Sequence, residues 1–223
     1  NGPVSEAISA QVAQANPSTV KTVIDLSTIG PTSARACAAT LAAAGVAYID
    51  APVSGGVSGA VNGTLALMAG APLDLYEAML PILVVLARNS FRVGDEPGMG
   101  QAMKLVNNFT SAATLAATSE AVVFGERLGL DLETMVAVLN ASSGRSAASE
   151  DKFTRSIVPG TYDFGFAGAL MTKDVTLYLE QASIAGAPID MASAVVPLWR
   201  RFNAAHPEAD FTYIHKHLQG DGV

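Results

Sequence analysis

One long stretch of helix-forming residues constrains the fold of this chain more than any other feature. From Gln101 to about Leu128 the sequence contains no proline and consists mainly of good helix formers. It follows Asp95-Glu96-Pro97, a turn-forming cluster, and opens with Gly98-Met99-Gly100, whose glycines allow backbone to approach another backbone or a ligand closely. We therefore predict a long helix that starts near Gly98.

The chain changes character at the start of this helix. Before it, the apolar stretches of residues 22–26 and 46–50 flank a helical stretch, and strand–helix–strand is the repeating unit of a parallel α/β sheet. After it, the pattern is helical, with alanines at helical spacing that let helices pack closely. The fold class is thus α/β plus all-α, with domains at residues 1–97 and 98–223.

Local signals predict several turns and helix starts. Asn62-Gly63 predicts a hairpin turn before an antiparallel edge strand over residues 64–68. Thr32 or Ser33 is placed to cap the helix that follows the first strand, and Thr172 is placed to cap a later helix.

Composition argues against several functions. A net charge of −7 with only 13 Lys and Arg residues leaves no clustered basic surface for nucleic acid. No apolar run reaches the length of a membrane span. No Cys/His cluster has metal-ligand spacing, and the single cysteine, Cys37, rules out an intrachain disulfide. We expect a cytoplasmic protein that binds neither nucleic acid, membrane nor metal.

Lys104 and Asn108 form a polar pair near the start of the long helix. They are four residues apart, so they lie on the same helix face. A plain alternative is a solvated lysine on an otherwise apolar helix.

Ser54, Gly55 and Gly56 follow the second predicted strand. A hydroxyl beside the backbone N–H groups of two glycines can hold a carboxylate or phosphate oxygen. The alternative is an ordinary turn. The position favours a ligand, because α/β sheets bind ligands beyond the carboxyl ends of their strands.

Four segments together resemble the β-hydroxyacid dehydrogenase family. They are Asp25-Leu26-Ser27-Thr28, residues 50–56 (Asp-Ala-Pro-Val-Ser-Gly-Gly), residues 98–108 (Gly-Met-Gly-Gln-Ala-Met-Lys-Leu-Val-Asn-Asn) and Lys173-Asp174. The resemblance implies a partial Rossmann-type domain, a long interdomain helix and a helical C-terminal domain that supports homodimers or homotetramers. It also implies NAD or NADP as cofactor and a small carboxylate-bearing substrate, a β-hydroxyacid or its semialdehyde.

The resemblance also assigns roles to single residues. Lys104 matches the catalytic general acid/base, and Asn108 matches a residue that orients the substrate. The other matches are Ser54, Gly55 and Gly56 for the substrate carboxylate, Thr28 for a position near the nicotinamide, and Lys173 for the cofactor side of the cleft. The alternative for Thr28 is a threonine that only hydrogen-bonds the backbone of a turn. The alternative for Lys173 is a plain solvated lysine.

One family feature is missing from the sequence. No Gly-x-Gly-x-x-Gly turn, which would receive the pyrophosphate, precedes Thr22. We expect a fragment of a longer product whose remainder distinguishes NAD from NADP. Two other functions stay open: a non-catalytic dehydrogenase-like module kept for oligomerisation, and an imine reductase, although imine reductases generally lack a lysine at position 104.

Overall fold

The computed structural model describes residues 1–15 and 19–220. The chain divides into two compact units, Asn1–Val106 and Asn107–Val223. The sequence predicts a boundary between residues 97 and 98, where its pattern changes from α/β to all-α. That boundary stays a prediction.

The first unit alternates helices and strands. In chain order these are α1 (Gly2–Gln14), β1 (Thr22–Asp25), α2 (Pro31–Ala42), β2 (Ala47–Asp50), β3 (Val53–Ser54), α3 (Gly56–Val61), β4 (Ala66–Gly70), α4 (Leu73–Leu86) and β5 (Asn89–Gly94).

These strands form a mixed sheet in the order β1-β2-β4-β3, with β5 also on β4. β1 and β2 are parallel and in register from Thr22↔Ala47 to Asp25↔Asp50, which confirms the predicted strand–helix–strand unit. β4 is parallel to β5 but antiparallel to β3, and it meets β2 antiparallel at the single pair Asp50↔Gly70. The last residues of β2 and β4 therefore lie side by side.

Three local predictions in this unit are wrong. Asn62-Gly63 does not form a hairpin turn: Asn62 ends α3, and Gly63 reverses the chain with a φ of 64°. β4 is not an edge strand, because it has partners on both sides. Neither Thr32 nor Ser33 caps α2, which begins at Pro31, a residue whose fixed φ suits the first helical position.

The core of the first unit consists of two clusters of aliphatic side chains. One joins the sheet to α4 through residues such as Ile49, Leu67 and Leu83. The other joins the sheet to α2 through Leu41, Val46 and the buried Cys37. Among the described residues, the aromatic members of these two clusters are Tyr48 and Tyr76, in agreement with the low aromatic content.

The long helix, α5, runs from Met99 to Arg127 and confirms the main sequence prediction. The second unit adds α6 (Leu132–Ala141), a π-helix (Ala148–Ile157), α7 (Gly168–Ile184), α8 (Asp190–Ala205), a short 3₁₀ turn (Phe211–Tyr213) and α9 (Ile214–Gln219).

Large aromatic side chains fill the core of this second unit. Trp199, Phe153 and Phe202 are fully buried among aliphatic residues of α5, α7 and α8. Thr172 does not cap α7, which begins four residues earlier; its hydroxyl donates to the carbonyl oxygens of Gly168 (2.9 Å) and Trp199 (3.1 Å). Thr172 is therefore an interior residue of α7, which already covers residues 168–171.

No helix within residues 1–15 and 19–220 is both long enough and apolar enough to cross a membrane.

A buried histidine lies in the core of the second unit. His215 is 0% exposed, meets the ring of Phe153 edge to face, and has its Nε2 atom 3.7 Å from Oε1 of Glu126. Burial lowers the pKa of His215, although the neighbouring Glu126 carboxylate opposes that shift. A proton on His215 thus costs more free energy in the folded than in the unfolded protein.

We expect the second unit to lose stability as the pH falls below the unfolded-state pKa of histidine, about 6.5. His215→Phe keeps the ring and removes the titration, so its free energy of unfolding should vary less between about pH 7 and about pH 5. Urea denaturation of the full-length protein measures both. His217, whose pKa burial also lowers, is common to both proteins and cancels in the difference. Parallel pH curves would contradict the prediction.

Candidate active site

The start of α5 is anchored on the end of β2 by one carboxylate. Asp50 is 0% exposed; its Oδ1 accepts the N–H of Gly98 and its Oδ2 accepts the N–H of Gln101, both at 2.8 Å. These are N–H groups that a helix start leaves without helical partners, and a negative charge is favourable there. Burial raises the pKa of Asp50, and the hydrogen bonds from Gly98 and Gln101 oppose that shift.

Glycines let the helix start rest directly on the sheet. A Cβ atom at Gly100 would overlap the carbonyl oxygens of Met68 and Asp50, and one at Gly70 would lie 2.9 Å from the backbone nitrogen of Gly100. Gly98 also has a φ of 94°, which favours glycine. The close approach predicted for these glycines is therefore confirmed, and the partner is backbone.

The side chain of Gln101 connects α5 to the loop between β1 and α2. It is 0% exposed. Its Oε1 accepts the N–H groups of Ile29 (2.8 Å) and Gly30 (3.1 Å), and its Nε2 donates to the carbonyl oxygen of Ser27 (2.8 Å). This loop, residues 27–30, carries Thr28, the residue expected near the nicotinamide.

Lys104 lies about one helical turn after Gln101 on α5. It is only 7% exposed, so it is not the solvated surface lysine of the plain alternative. Burial of a lysine side chain is uncommon unless a partner or a function retains it. Asn108, a further turn along, is 5% exposed.

Ser54, Gly55 and Gly56 lie where β3 gives way to α3. Ser54 pairs with Ala66 on β4 and is half-buried, whereas both glycines are exposed. Gly55 has a φ of 127° and Gly56 a φ of 62°, so the backbone path here requires glycine at two successive positions. A loop of this kind presents N–H groups to solvent at the end of a strand.

In the second unit, Asn108 and Lys173 meet at the same carboxylate. The amide nitrogen of Asn108 donates to Oδ2 of Asp174 at 2.6 Å, and Nζ of Lys173 lies 2.9 Å from Oδ1 of Asp174. The rings of Phe109 and Tyr178, the next residue on α5 and the next turn on α7, stack 4.1 Å apart. Asp174 thus joins two residues that the sequence assigned separately.

The sequence missed the roles of three buried polar residues: Asp50, Gln101 and Asp174. Each lies inside a segment that carried the family resemblance, and each is at most 3% exposed. A polar residue within such a segment was the available signal. Each of them also bonds a residue that is tens of positions away in sequence, and those bonds could not be read from spacing.

Among residues 1–15 and 19–220, no group of three or more His, Cys, Asp or Glu side chains is arranged to hold a metal ion.

Two family models match this chain. One describes the NAD-binding domain of 6-phosphogluconate dehydrogenase and matches residues 2–94. The other describes NAD-binding of NADP-dependent 3-hydroxyisobutyrate dehydrogenase and matches residues 98–218, more than half of the chain. The chain belongs to the β-hydroxyacid dehydrogenase family. The resemblance seen in the four segments is thereby confirmed.

Curated relatives agree with this family. The chain is 38% identical over 177 residues to 2-(hydroxymethyl)glutarate dehydrogenase of Eubacterium barkeri, covering 79% of this chain and 58% of that protein. It is 36% identical over 207 residues to 3-hydroxyisobutyrate dehydrogenase of Pseudomonas aeruginosa, covering 89% of this chain and 69% of that protein. The chain thus spans between about half and about two thirds of the length of these relatives.

Solved structures agree on the fold. The 3-hydroxyisobutyrate dehydrogenase of Mycobacterium tuberculosis, solved with L-serine, matches 98% of this chain and 76% of its own with a TM-score of 0.90 and 32% identity. An imine reductase from Bacillus cereus, at 19% identity and a TM-score of 0.57, shares the fold alone. The dehydrogenase interpretation is therefore favoured over the imine reductase alternative.

The cofactor prediction, NAD or NADP, is confirmed for the family, because both matching models describe NAD-binding domains. The residues present fit the nicotinamide end of such a cofactor. The loop of residues 27–30 follows the carboxyl end of β1, the side of a parallel sheet at which dinucleotides bind, and buried hydrogen bonds fix its path.

Asp174→Asn should weaken the attachment of both Asn108 and Lys173. The new amide carries no charge and turns an N–H₂ group toward one of its two donors. We expect the free energy of unfolding to fall by about 2 kcal/mol, less than for a fully buried pair because solvent screens Lys173. Urea denaturation of the full-length protein measures this loss.

Asp151→Asn is the matched control. The side chain of Asp151 is 39% exposed, against 3% for Asp174, and it pairs with Arg155 at 3.0 Å and Lys152 at 3.5 Å. Its loss should cost no more than about 1 kcal/mol, as exposed pairs usually do. Equal losses in the two variants would show that Asp174 is no more than a surface partner.

Proposed function

We propose that the full-length protein is an NAD(P)-dependent oxidoreductase that interconverts a small β-hydroxyacid and its semialdehyde. The observation that carries this proposal is the buried Lys104, 7% exposed, on the helix that Asp50 anchors to the carboxyl end of β2. Alcohol–aldehyde chemistry requires a proton carrier, and a buried lysine on the helix that also bonds the loop of residues 27–30 is suited to that role.

Lys104 is the proposed general acid and base. The nicotinamide, when bound, accepts the hydride during oxidation and returns it during reduction. In oxidation, the neutral amine of Lys104 takes the proton from the substrate hydroxyl at Nζ. In reduction, the ammonium returns that proton to the forming alkoxide oxygen, so charge and protons balance in both directions.

The remaining site residues are proposed to bind and orient. Ser54, Gly55 and Gly56 offer a hydroxyl and exposed backbone N–H groups to the substrate carboxylate. Asn108 orients the substrate with an amide whose direction Asp174 fixes. Thr28 and Lys173 contact the cofactor.

The relatives suggest a common substrate core. The compounds in their names, 3-hydroxyisobutyrate and 2-(hydroxymethyl)glutarate, and the L-serine bound in the tuberculosis enzyme each carry a hydroxymethyl group on the carbon that bears a carboxylate. We propose that this chain acts on the same core, with the third substituent on that carbon setting specificity.

We also propose that the protein is a cytoplasmic homodimer or homotetramer. Large apolar side chains of the second unit are exposed, among them Phe124 (66%), Leu128 (68%) and Val138 (58%). Exposed apolar side chains support this proposal where they gather into a patch that another subunit can cover, as Phe124 in the last turn of α5 and Leu128 immediately after that helix can do.

Lys104→Ala in the full-length protein tests the function. We expect kcat to fall about 100-fold to 10,000-fold, the usual contribution of general acid–base catalysis, while binding of reduced cofactor is retained. Fluorescence titration measures the binding. Lys21→Ala, which removes an exposed lysine of the same unit, should leave both quantities unchanged. Unchanged turnover in Lys104→Ala would refute the assignment of Lys104. No turnover by the natural full-length protein would favour the non-catalytic module.

A substrate panel tests the proposed core. We expect oxidation of at least one of 3-hydroxyisobutyrate, L-serine and 2-(hydroxymethyl)glutarate with NAD or NADP, and no oxidation of isobutanol, which lacks the carboxylate. Initial rates of reduced-cofactor formation by the full-length protein measure this. Comparable rates with isobutanol would contradict a carboxylate site at Ser54, Gly55 and Gly56.

A further inference from the structure

The side chain of Gln101 hydrogen-bonds the backbone on both sides of Thr28. It accepts the N–H of Ile29, immediately after Thr28, and donates to the carbonyl oxygen of Ser27, immediately before it. A second N–H, that of Gly30, shares the same Oε1 atom. One buried amide therefore fixes the backbone entering and leaving position 28.

The backbone of Gln101 is also held in place, within helix α5. The backbone N–H of Gln101 donates to Oδ2 of Asp50 at 2.8 Å, and Lys104 follows about one turn later on the same helix. Asp25, the last residue of β1, also bonds the loop, since its Oδ1 accepts the N–H of Ser27 at 2.9 Å. Gln101 thus holds the backbone around Thr28 through its side chain and belongs to the same helix as Lys104.

Hydrogen-bond chemistry explains why glutamine suits this place. The loop presents two N–H donors and one carbonyl acceptor, so its partner needs an acceptor atom and a donor atom on one planar group. An ionised carboxylate of the same shape accepts only, and a thioether of similar length offers neither strong donor nor strong acceptor. Each buried loop group left without its partner carries a desolvation cost.

We propose that Gln101 is a positioning residue that holds the loop of residues 27–30, and with it Thr28, in a fixed relation to Lys104. This inference rests on the proposed roles of Thr28 and Lys104. Its consequence is that the cofactor ring and the proton carrier stay aligned through one side chain that contacts neither substrate nor cofactor. Loss of that side chain should lower kcat more than cofactor affinity.

Two substitutions in the full-length protein test this. Gln101→Met removes all three side-chain bonds, and Gln101→Glu replaces the donor toward Ser27 with an acceptor. For both we expect kcat to fall about 10-fold to 100-fold, the cost of misplacing reacting groups by about an ångström, with the Kd of reduced cofactor within about threefold of the natural protein. Hydrogen–deuterium exchange should speed up at the Ile29 and Gly30 amides.

Tyr76→Phe is the matched control. It also removes a largely buried hydrogen-bonding group of the first unit, whose hydroxyl donates to the carbonyl oxygen of Ser90 and approaches Ser90 Oγ, both at 3.0 Å. It should lower the melting temperature but leave kcat within about twofold and exchange at residues 29–30 unchanged. A kcat in Gln101→Met within about twofold of the natural protein, or unchanged exchange at those amides, overturns the proposal.

The pH dependence of Gln101→Glu decides the case if Gln101→Met does not fold. Burial raises the pKa of an introduced carboxyl group, and its protonated form regains a donor for the Ser27 carbonyl. The ratio of its kcat to that of the natural protein, measured in the reduction direction, should therefore rise as the pH falls. A flat ratio overturns the proposal.

The exchange measurement separates this inference from the proposed function. If Lys104→Ala keeps full turnover while exchange at residues 29–30 responds to Gln101→Met, the proposed chemistry fails and the loop attachment stands. If Lys104→Ala abolishes turnover and the Gln101 variants change neither exchange nor kcat, only the positioning role fails.

Discussion

The buried carboxylate of Asp50 is the interaction on which the first unit depends. Asp50 is the last residue of β2, and its carboxylate accepts the N–H groups of Gly98 and Gln101 at the start of α5. These two hydrogen bonds join the sheet to the helix that carries Lys104. Desolvation of this carboxylate is costly, and both of its oxygens are occupied by backbone donors. The arrangement fixes α5 in direction as well as in place.

The sequence was sufficient for everything that depends on periodicity. The strand–helix–strand unit, the long helix and the all-α second half follow from patterns of apolar residues, and β1, β2 and α5 lie within about two residues of their predicted bounds. It failed at the starts of α2 and α7 and at the place of β4 in the sheet, which neighbours in space decide. Pro31 rather than Thr32 opens α2, and α3 intervenes where Asn62-Gly63 suggested a hairpin.

The site divides in the same way. Lys104 and Asn108 were singled out by their spacing and the Ser54–Gly55–Gly56 loop by its residue types, and the family resemblance then assigned their roles. Asp174 and Gln101 were not candidates, although both are buried and hydrogen-bonded to distant residues. Their roles depend on which elements pack against α5, and no short sequence pattern encodes that packing.

The contact of Gly100 with the carbonyl oxygens of Met68 and Asp50 is made between main chains, with no side chain in between to absorb a displacement. A small shift of the strands therefore passes undiminished to α5 and to the lysine on its second turn. Substitutions on the hidden face of the sheet, at residues such as Leu67 or Ile49, would then behave as activity mutations although they lie outside the site.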